Sequence, residues 1–283
     1  MAALNPSSDI SSYINSIFED AMFVARENMF ADRLVLTFDD MTGVATRKSS
    51  EYSSATISAI GETDDLSSQA FTPSVLATLT PAEAGGQFFL PDLRLESDPF
   101  QVRADATMEI GSEMAEKIQQ DILGNLASLT GGTVGAAGTA ITWGHFFAAR
   151  ALLKGLKVPE PYTCVLHEYQ WFVLAKAAGV AATVTNAPAF QDDVMRRYYV
   201  GSAAGVDIFT TADITIDAST DAKGGMFNRA AIALDMRRAP RLEAERDASR
   251  RGWELNQTAV YAHGVWRPAW GILMHFDAAT PSS

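Results

Sequence analysis

The residues best suited to acid–base chemistry in this chain of 283 residues are four histidines, His145, His167, His263 and His275. They show no HExxH or other paired spacing, so the sequence predicts no histidine metal centre. Only His167 is followed directly by a carboxylate, in the pair His167–Glu168 at the predicted end of a strand. Such a pair could act as a general acid and base. A histidine beside a helix start is more often a cap or a packed residue, and we favour that interpretation.

The other patterns that could carry catalysis each lack a required residue. The single cysteine, Cys164, excludes an intrachain disulfide and a cysteine-based zinc site. Gly201–Gly205 reads GSAAG, which lacks the central serine of a nucleophile elbow. The glycine-rich segment 131–144 fits neither phosphate-binding fingerprint, and we predict a flexible connection there. We therefore predict no catalytic residue, no cofactor and no enzyme activity.

Two groups of carboxylates could bind a cation. Asp39–Asp40 is followed by Met41–Gly43, which completes a turn. The acidic group Glu62, Asp64 and Asp65 lacks the glycine and the closing glutamate of a calcium-binding loop. We interpret both groups as solvated turns and predict no metal site.

The acidic group lies between two segments that resemble strands. Residues 44–59 alternate weakly through Tyr52, Ala55, Ile57 and Ala59, and residues 71–80 alternate through Val75, Ala77 and Leu79. The pattern predicts a long hairpin that is too polar to bury both of its faces. Because a two-stranded ribbon is marginal alone in water, it must lie on its own domain or on another subunit.

The longest predicted element is a helix over residues 98–130. Asp98 suits the N-cap, Pro99 suits the first helical position, and Gly131–Gly132 can close the helix. Its apolar residues recur every fourth position, so their stripe winds around the helix and requires different partners along its length. A long core helix of an ordinary α+β enzyme is the alternative. The members of the stripe are Val102, Ala106, Ile110, Met114, Ile118, Ile122 and Leu126.

The remaining elements complete an α+β pattern. An amphipathic helix is predicted near the N-terminus, a buried strand stopped by Pro91 precedes the long helix, and a helix–strand–helix unit follows it. A short helix and a strand come next, and three or four strands follow from residue 225. The predicted ranges are helix 8–30, strand Gln87–Leu90, helix 143–157, strand Tyr162–Leu166, helix 167–178 and strand Val206–Thr210.

The composition and net charge of the chain disfavour some classes of function. The chain is 47% hydrophobic with a formal net charge of −12, which favours solubility and disfavours binding to nucleic acid phosphates. The sequence shows no signal peptide and no apolar run long enough to span a membrane, so we expect a soluble protein made in the cytoplasm.

Charges of both signs are concentrated in residues 237–251. Arginine is the only basic residue there, which indicates bidentate pairing with carboxylates. The segment is either a solvated charged ribbon or part of an ion-pair network between subunits, with the acidic hairpin or the acidic long helix as partner. The candidate interface residues are Glu62, Asp64, Asp65, Arg237, Arg238, Arg241, Glu243, Arg246, Arg250 and Arg251.

The order of these elements, with three stretches of sequence, resembles the major capsid proteins of tailed double-stranded-DNA phages, which have the Hong Kong 97 fold. The stretches are ATLTPAEAGGQFFLPDLRLESDP, ITWGHFFAARALLKGLKVPEPYTCVLHEYQW and RRAPRLEAERDASRRGWELNQTAVYAHGVWRPAWG. The resemblance implies an N-arm (1–42), an extended β-hairpin loop (43–80), a peripheral domain with a spine helix (81–141 and 237–283) and an axial domain (142–236).

The resemblance also implies a function and its partners. We expect a virion protein, made in the host bacterial cytoplasm, that self-assembles into the hexamers and pentamers of an icosahedral shell around double-stranded DNA. Expected partners are a separate scaffolding protein, a portal, a possible cement protein and, by weak non-specific contact, the packaged DNA. Because Glu51–Thr80 contains no lysine, we expect no isopeptide crosslink on the hairpin. The alternatives are an encapsulin-type cellular compartment and, from a different class, a soluble hydrolase or transferase.

Overall fold

A computed structural model describes residues 29–40, 46–57, 59–62, 65, 68–97, 102–178 and 199–281. The predicted helices at 8–30 and between residues 186 and 198 lie outside the described residues, apart from Met29 and Phe30. The α-helices of the described residues are α1 Ala31–Leu34, α2 Asp92–Ser97, α3 Val102–Gly124, α4 Trp143–Gly155 and α5 Glu168–Ala178. The strands are β1 Leu36–Phe38, β2 Arg47–Tyr52, β3 Pro73–Leu79, β4 Ala82–Pro91, β5 Thr133–Gly135, β6 Tyr162–His167, β7 Tyr199–Ala203, β8 Val206–Thr211, β9 Asp221–Asn228, β10 Ile232–Asp247, β11 Gly252–Val265 and β12 Gly271–Asp277.

The strands form two main sheets and a separate ribbon. One sheet has the order β1-β10-β11-β4, the other has the order β5-β12-β9-β6-β8-β7, and β2 pairs with β3 alone. The mixture of mainly antiparallel sheets with separate helices confirms the predicted α+β class. Four strands follow residue 220, in agreement with the predicted return to β-structure.

The six-stranded sheet is built around strand β6. Four of the six residues in its sequence YTCVLH are apolar, and every side chain from Cys164 to His167 is buried. Such continuous burial is typical of a central strand covered on both faces. β6 pairs in parallel with β8 and antiparallel with β9, and Cys164 is a buried core residue as predicted.

The six-stranded sheet draws residues from both sides of the predicted divisions at residues 141 and 236. Strand β5 comes from the glycine-rich segment, which forms a short parallel strand against β12 rather than only a flexible connection. Strand β12 pairs with β9 and not with the sheet that contains β10 and β11. The sequence predicted a strand in this part of the chain, but the choice of sheet depends on long-range pairing.

The long helix α3 packs against both sheets. Near its start, Ile110 contacts Leu90, Leu242 and Leu255 of the four-stranded sheet. Further along, Ile118 and its neighbours belong to a cluster that includes residues of both sheets. The predicted change of partners along the apolar stripe is therefore confirmed.

The end of the long helix differs from the prediction. α3 ends at Gly124 and continues as a 3₁₀ turn to Ser128, so the helix does not reach Gly131. Gly131 has another role: a Cβ there would lie 2.5 Å from the carbonyl oxygen of Ala269. The glycine permits close backbone approach between this segment and the turn before β12. The predicted caps Asp98 and Pro99 lie outside the described residues.

Candidate subunit-interface surfaces

The root of the hairpin is fixed by a buried carboxylate. The side chain of Asp235 is 0% exposed, and its Oδ2 lies 3.1 Å from Nε of Arg47 and 2.6 Å from Nη2 of Arg237. Arg47 also pairs with Asp40, and its guanidinium carbon lies 4.2 Å from the centre of the Phe38 ring. The hydrogen bond from Arg47 holds the pKa of Asp40 below its usual range. Strand β2 therefore begins at a rigid attachment.

Beyond this root the hairpin exposes large apolar side chains. Tyr52, the last residue of β2, stacks on Phe71, which lies two residues before β3, with ring centres 4.7 Å apart. Ile57 is 93% exposed and Phe71 is 73% exposed. Concentrated exposed apolar surface marks sites of protein contact in soluble proteins. The predicted hairpin is thus present. Its outer part exposes apolar side chains that are suited to contact with another protein surface.

The acidic part of the hairpin is free to meet a partner. Glu62 and Asp65 are exposed, and neither forms an ion pair with another described residue. The third candidate, Asp64, lies outside the described residues.

Most of the candidate arginines pair with carboxylates of the same chain. Arg246 binds both oxygens of Asp92, with 2.7 Å between Nη2 and Oδ2, and this contact raises the pKa of Arg246. The bidentate pairing predicted from the arginine content is therefore confirmed at this site. The other intrachain pairs are Arg237–Asp235, Arg238–Glu83, Arg241–Glu243, Arg250–Asp247 and Arg250–Glu254.

The arginines of these intrachain pairs differ in exposure. Only an exposed arginine can also contact a neighbouring subunit. The side chain of Arg237 is 7% exposed, whereas that of Arg250 is 64% exposed. In the turn that follows β10, Arg251 is an exposed arginine with no carboxylate partner in the described part of the chain.

The strand predicted to be buried at Gln87–Leu90 is buried only at Leu90. Phe88 and Phe89 are 37% and 36% exposed. The burial prediction was wrong for the first three positions because, within the described residues, no element covers these side chains of β4, the edge strand beside β11. The guanidinium carbon of Arg250 lies 5.7 Å from the centre of the Phe89 ring. Aromatic and cationic side chains thus share one edge of the four-stranded sheet.

The interpretation of His167 as a capping residue is confirmed. The N–H of Tyr169 donates to Nδ1 of His167 at 3.1 Å, at the start of helix α5. Burial lowers the pKa of His167, which favours the neutral ring that can accept this hydrogen bond. The neighbouring Glu168 accepts a hydrogen bond from Thr210.

The sequence analysis missed one group of potential ligands. One ligand atom each from Asp217, Asp221 and His275 lie within 4.8 Å of one another. The two aspartates stand four residues apart, Asp217 in a turn and Asp221 at the start of β9, which is a weak signal. The histidine comes from strand β12, so only the pairing of β12 with β9 brings the three together.

Comparison with known proteins identifies the family to which this architecture belongs. The sequence profile of the family described as phage capsid protein matches residues 77–273, which is more than half of the chain. The chain belongs to the phage capsid protein family. The matched range begins within β3, near the end of the hairpin, includes the whole of α3 and ends within β12, so it covers most strands of the two main sheets but not β1.

Solved structures support the same fold. The capsid of Ralstonia phage GP4 matches with a TM-score of 0.72 and 8% identity, over 91% of this chain and 92% of that chain. A structure from Mycobacterium phage Che8 matches with a TM-score of 0.68 and 17% identity, over 87% of this chain and 90% of that chain. A virus-like particle from Pyrococcus furiosus matches with a TM-score of 0.60 and 8% identity, over 93% of this chain and 99% of that chain. A comparison with curated protein sequences found no significant match.

The fold is therefore the Hong Kong 97-like capsid fold, as the resemblance implied. Membership of a capsid family implies a structural role in a virion. Within the described ranges, no helix combines the length and the apolar composition needed to cross a bilayer.

Proposed function

We propose that this protein is the major capsid protein of a tailed phage. Copies of the chain assemble into hexamers and pentamers of an icosahedral shell that encloses the double-stranded DNA genome. Family membership supports the shell role, and the observation that carries the assembly proposal is the hairpin, whose root is fixed while its outer part exposes Ile57 and Phe71. Heterologous contacts of one surface with another on the next copy close into rings.

The domains follow the family plan. Residues 1–42 form the N-arm, 43–80 the extended loop, 81–141 and 237–283 the peripheral domain, and 142–236 the axial domain, with β5 and β12 completing the axial sheet. This plan rests on the family resemblance and on the separation of the two sheets. The role of the protein is structural and it is not an enzyme.

The proposed partners follow from charge and composition. A net charge of −12 favours weak, non-specific contact with the packaged DNA, since there is little positive surface to neutralise phosphates. Glu51–Thr80, the outer part of the hairpin, contains no lysine, so this part holds its neighbour without a covalent crosslink, and Lys48 lies near the root in β2. A separate scaffolding protein, a portal and a cement protein complete the assembly. The chain is made in the host bacterial cytoplasm.

Electron microscopy of the purified protein tests the proposal. We expect rings or shells, with or without a co-expressed scaffolding protein. A variant in which Ser53–Thr72 is replaced by a short turn keeps the paired strands β2 and β3. It should show wild-type circular dichroism and form no stable shells. Only monomers or dimers of the unmodified protein at high concentration, with scaffold present, would contradict the capsid role.

The match to the Pyrococcus furiosus virus-like particle keeps an encapsulin-type compartment as the second candidate. The contents of the shells separate the two functions. Nuclease-protected, genome-length DNA in particles from phage-producing cells supports the phage capsid, whereas a co-purified enzyme with a cargo peptide supports the cellular compartment.

A further inference from the structure

Three potential metal ligands converge where β9 begins and β12 ends. Asp221 is the first residue of β9, His275 lies in β12, and Asp217 lies in the turn that precedes β9. One ligand atom from each residue lies within 4.8 Å of the other two. This separation is short enough for one ion to contact all three after small side-chain rotations.

The state of Asp221 is the second observation that points to a ligand. The residue is only 2% exposed, and its Oδ1 accepts a hydrogen bond from the N–H of Gly138 at 2.7 Å. Its other oxygen, Oδ2, is buried and has no hydrogen-bond partner among the described residues. Nε2 of His275 is likewise buried without a partner in the described part of the chain. Leaving buried polar atoms unsatisfied costs free energy, and a bound cation would satisfy both atoms.

The third ligand is held in place by its own turn. Oδ1 of Asp217 accepts hydrogen bonds from the N–H groups of Ser219 at 2.8 Å and of Asp221 at 3.0 Å. The N–H of Asp217 in turn donates to the carbonyl oxygen of Asp221 at 2.9 Å. These bonds fix the carboxylate beside the other two ligands before any ion arrives. Asp217 is exposed, so the site is open to solvent on this side.

We propose that Asp217, Asp221 and His275 together bind one divalent transition-metal ion of the Zn²⁺ type. An imidazole nitrogen with two carboxylates suits Zn²⁺, whereas Ca²⁺ and Mg²⁺ prefer oxygen ligands alone. Three protein ligands leave a fourth position, which water fills from the exposed side. The ion joins the turn before β9 to β12, and through Gly138 it supports the loop after β5. The role of the bound ion is to stabilise this end of the six-stranded sheet. The metal site is independent of the proposed function.

Titration calorimetry of the unassembled full-length chain with Zn²⁺ alone tests the site. We expect saturable binding of one ion per chain and a rise in the melting temperature. Asp221→Asn retains an acceptor for the N–H of Gly138, and it should weaken Zn²⁺ binding by at least about tenfold, as should His275→Gln. His145→Gln alters a histidine outside the group and should bind Zn²⁺ like the unmodified protein.

Two further measurements keep the proposal open to refutation. Bound Co²⁺ should give an absorption spectrum that changes in His275→Gln. If Asp221→Asn does not fold, Asp217→Asn alters an exposed residue of the same group and should weaken Zn²⁺ binding instead. Absence of one-to-one binding, equal affinity in all variants, or Ca²⁺ binding as tight as Zn²⁺ and insensitive to His275→Gln would each overturn the site.

Discussion

At the scale of the residue, the buried carboxylate of Asp235 joins the hairpin to the four-stranded sheet. It receives hydrogen bonds from Arg47, at the start of the hairpin, and from Arg237, on its own strand. A buried charge is tolerated only when it is paired, so each of the three groups depends on the others. The ion pair between Arg47 and Asp235 also fixes the start of the hairpin relative to the four-stranded sheet.

Replacement of this carboxylate should therefore destabilise the subunit strongly. We expect Asp235→Ala to lower the free energy of unfolding by about 3–5 kcal/mol, because it leaves two arginines without their buried partner. Urea denaturation of unassembled subunits measures this change. The matched control is Glu243→Ala, which removes the exposed partner of Arg241 and should cost less than about 1 kcal/mol. Equal losses in the two variants would show that Asp235 does not anchor the hairpin.

A second prediction at this scale concerns pH. Burial raises the pKa of Asp121, but hydrogen bonds from Lys117 and Tyr261 outweigh burial and hold the pKa below the usual range for an aspartate. A carboxylate with a lowered pKa in the folded state stabilises the protein above its unfolded pKa, and this contribution is lost as pH falls through the folded pKa.

The unmodified protein should therefore lose more stability than Asp121→Asn when the pH falls from 6 to 3. Urea denaturation midpoints at several pH values measure the difference. Asp65→Asn serves as the control, since Asp65 is exposed and forms no ion pair with a described residue. Parallel pH profiles for the unmodified protein and Asp121→Asn would contradict the assignment.

At the scale of the element, helix α3 joins the two sheets. Its buried residues contact the four-stranded sheet near the helix start and a mixed cluster further along. A 23-residue helix that buried one constant face would serve one sheet only. Because its apolar residues are spaced by four, the single helix α3 can pack against both sheets and stabilise them.

Shortening a buried side chain of α3 should therefore destabilise the subunit. Ile118 is 1% exposed, and Ile118→Ala should cost about 2–5 kcal/mol of unfolding free energy through lost burial and the cavity that remains. Met108 lies on the same helix and is 54% exposed, so Met108→Ala should change the stability by less than about 0.5 kcal/mol. Thermal or urea unfolding measures both. A small loss for Ile118→Ala would mean that the helix is not a central support.

At the scale of the whole molecule, surface charges could direct assembly. The exposed acids Glu62 and Asp65 lie on the hairpin, and Arg251, which forms no ion pair with a described residue, lies in the turn between β10 and β11. Opposite charges placed on two surfaces of one chain favour contact between copies and fix its orientation. The proposed contact is between the hairpin of one copy and this turn of its neighbour.

A charge exchange tests this contact. We expect Glu62→Lys with Asp65→Lys to reduce the yield of shells severalfold, and Arg251→Glu alone to do the same. The combination of all three substitutions should restore assembly in part, since the charges are opposite again. Sedimentation velocity measures the yield, and circular dichroism checks the fold of each variant. Failure of the combination to restore any shells, with all variants folded, would refute this pairing.

The sequence by itself determined most elements and much of the core, because spacings of two and of three to four residues decide which side chains can share a face. Helix α4, strand β6, the hairpin and the buried stripe of α3 follow from that rule. Tertiary structure alone decided that β12 joins the six-stranded sheet, that Phe88 and Phe89 lie on an edge, which carboxylates the arginines bind, and that His275 meets Asp217 and Asp221. These outcomes depend on pairing between distant segments, and the free energy that selects one pairing comes from burial across the whole molecule, not from any local pattern.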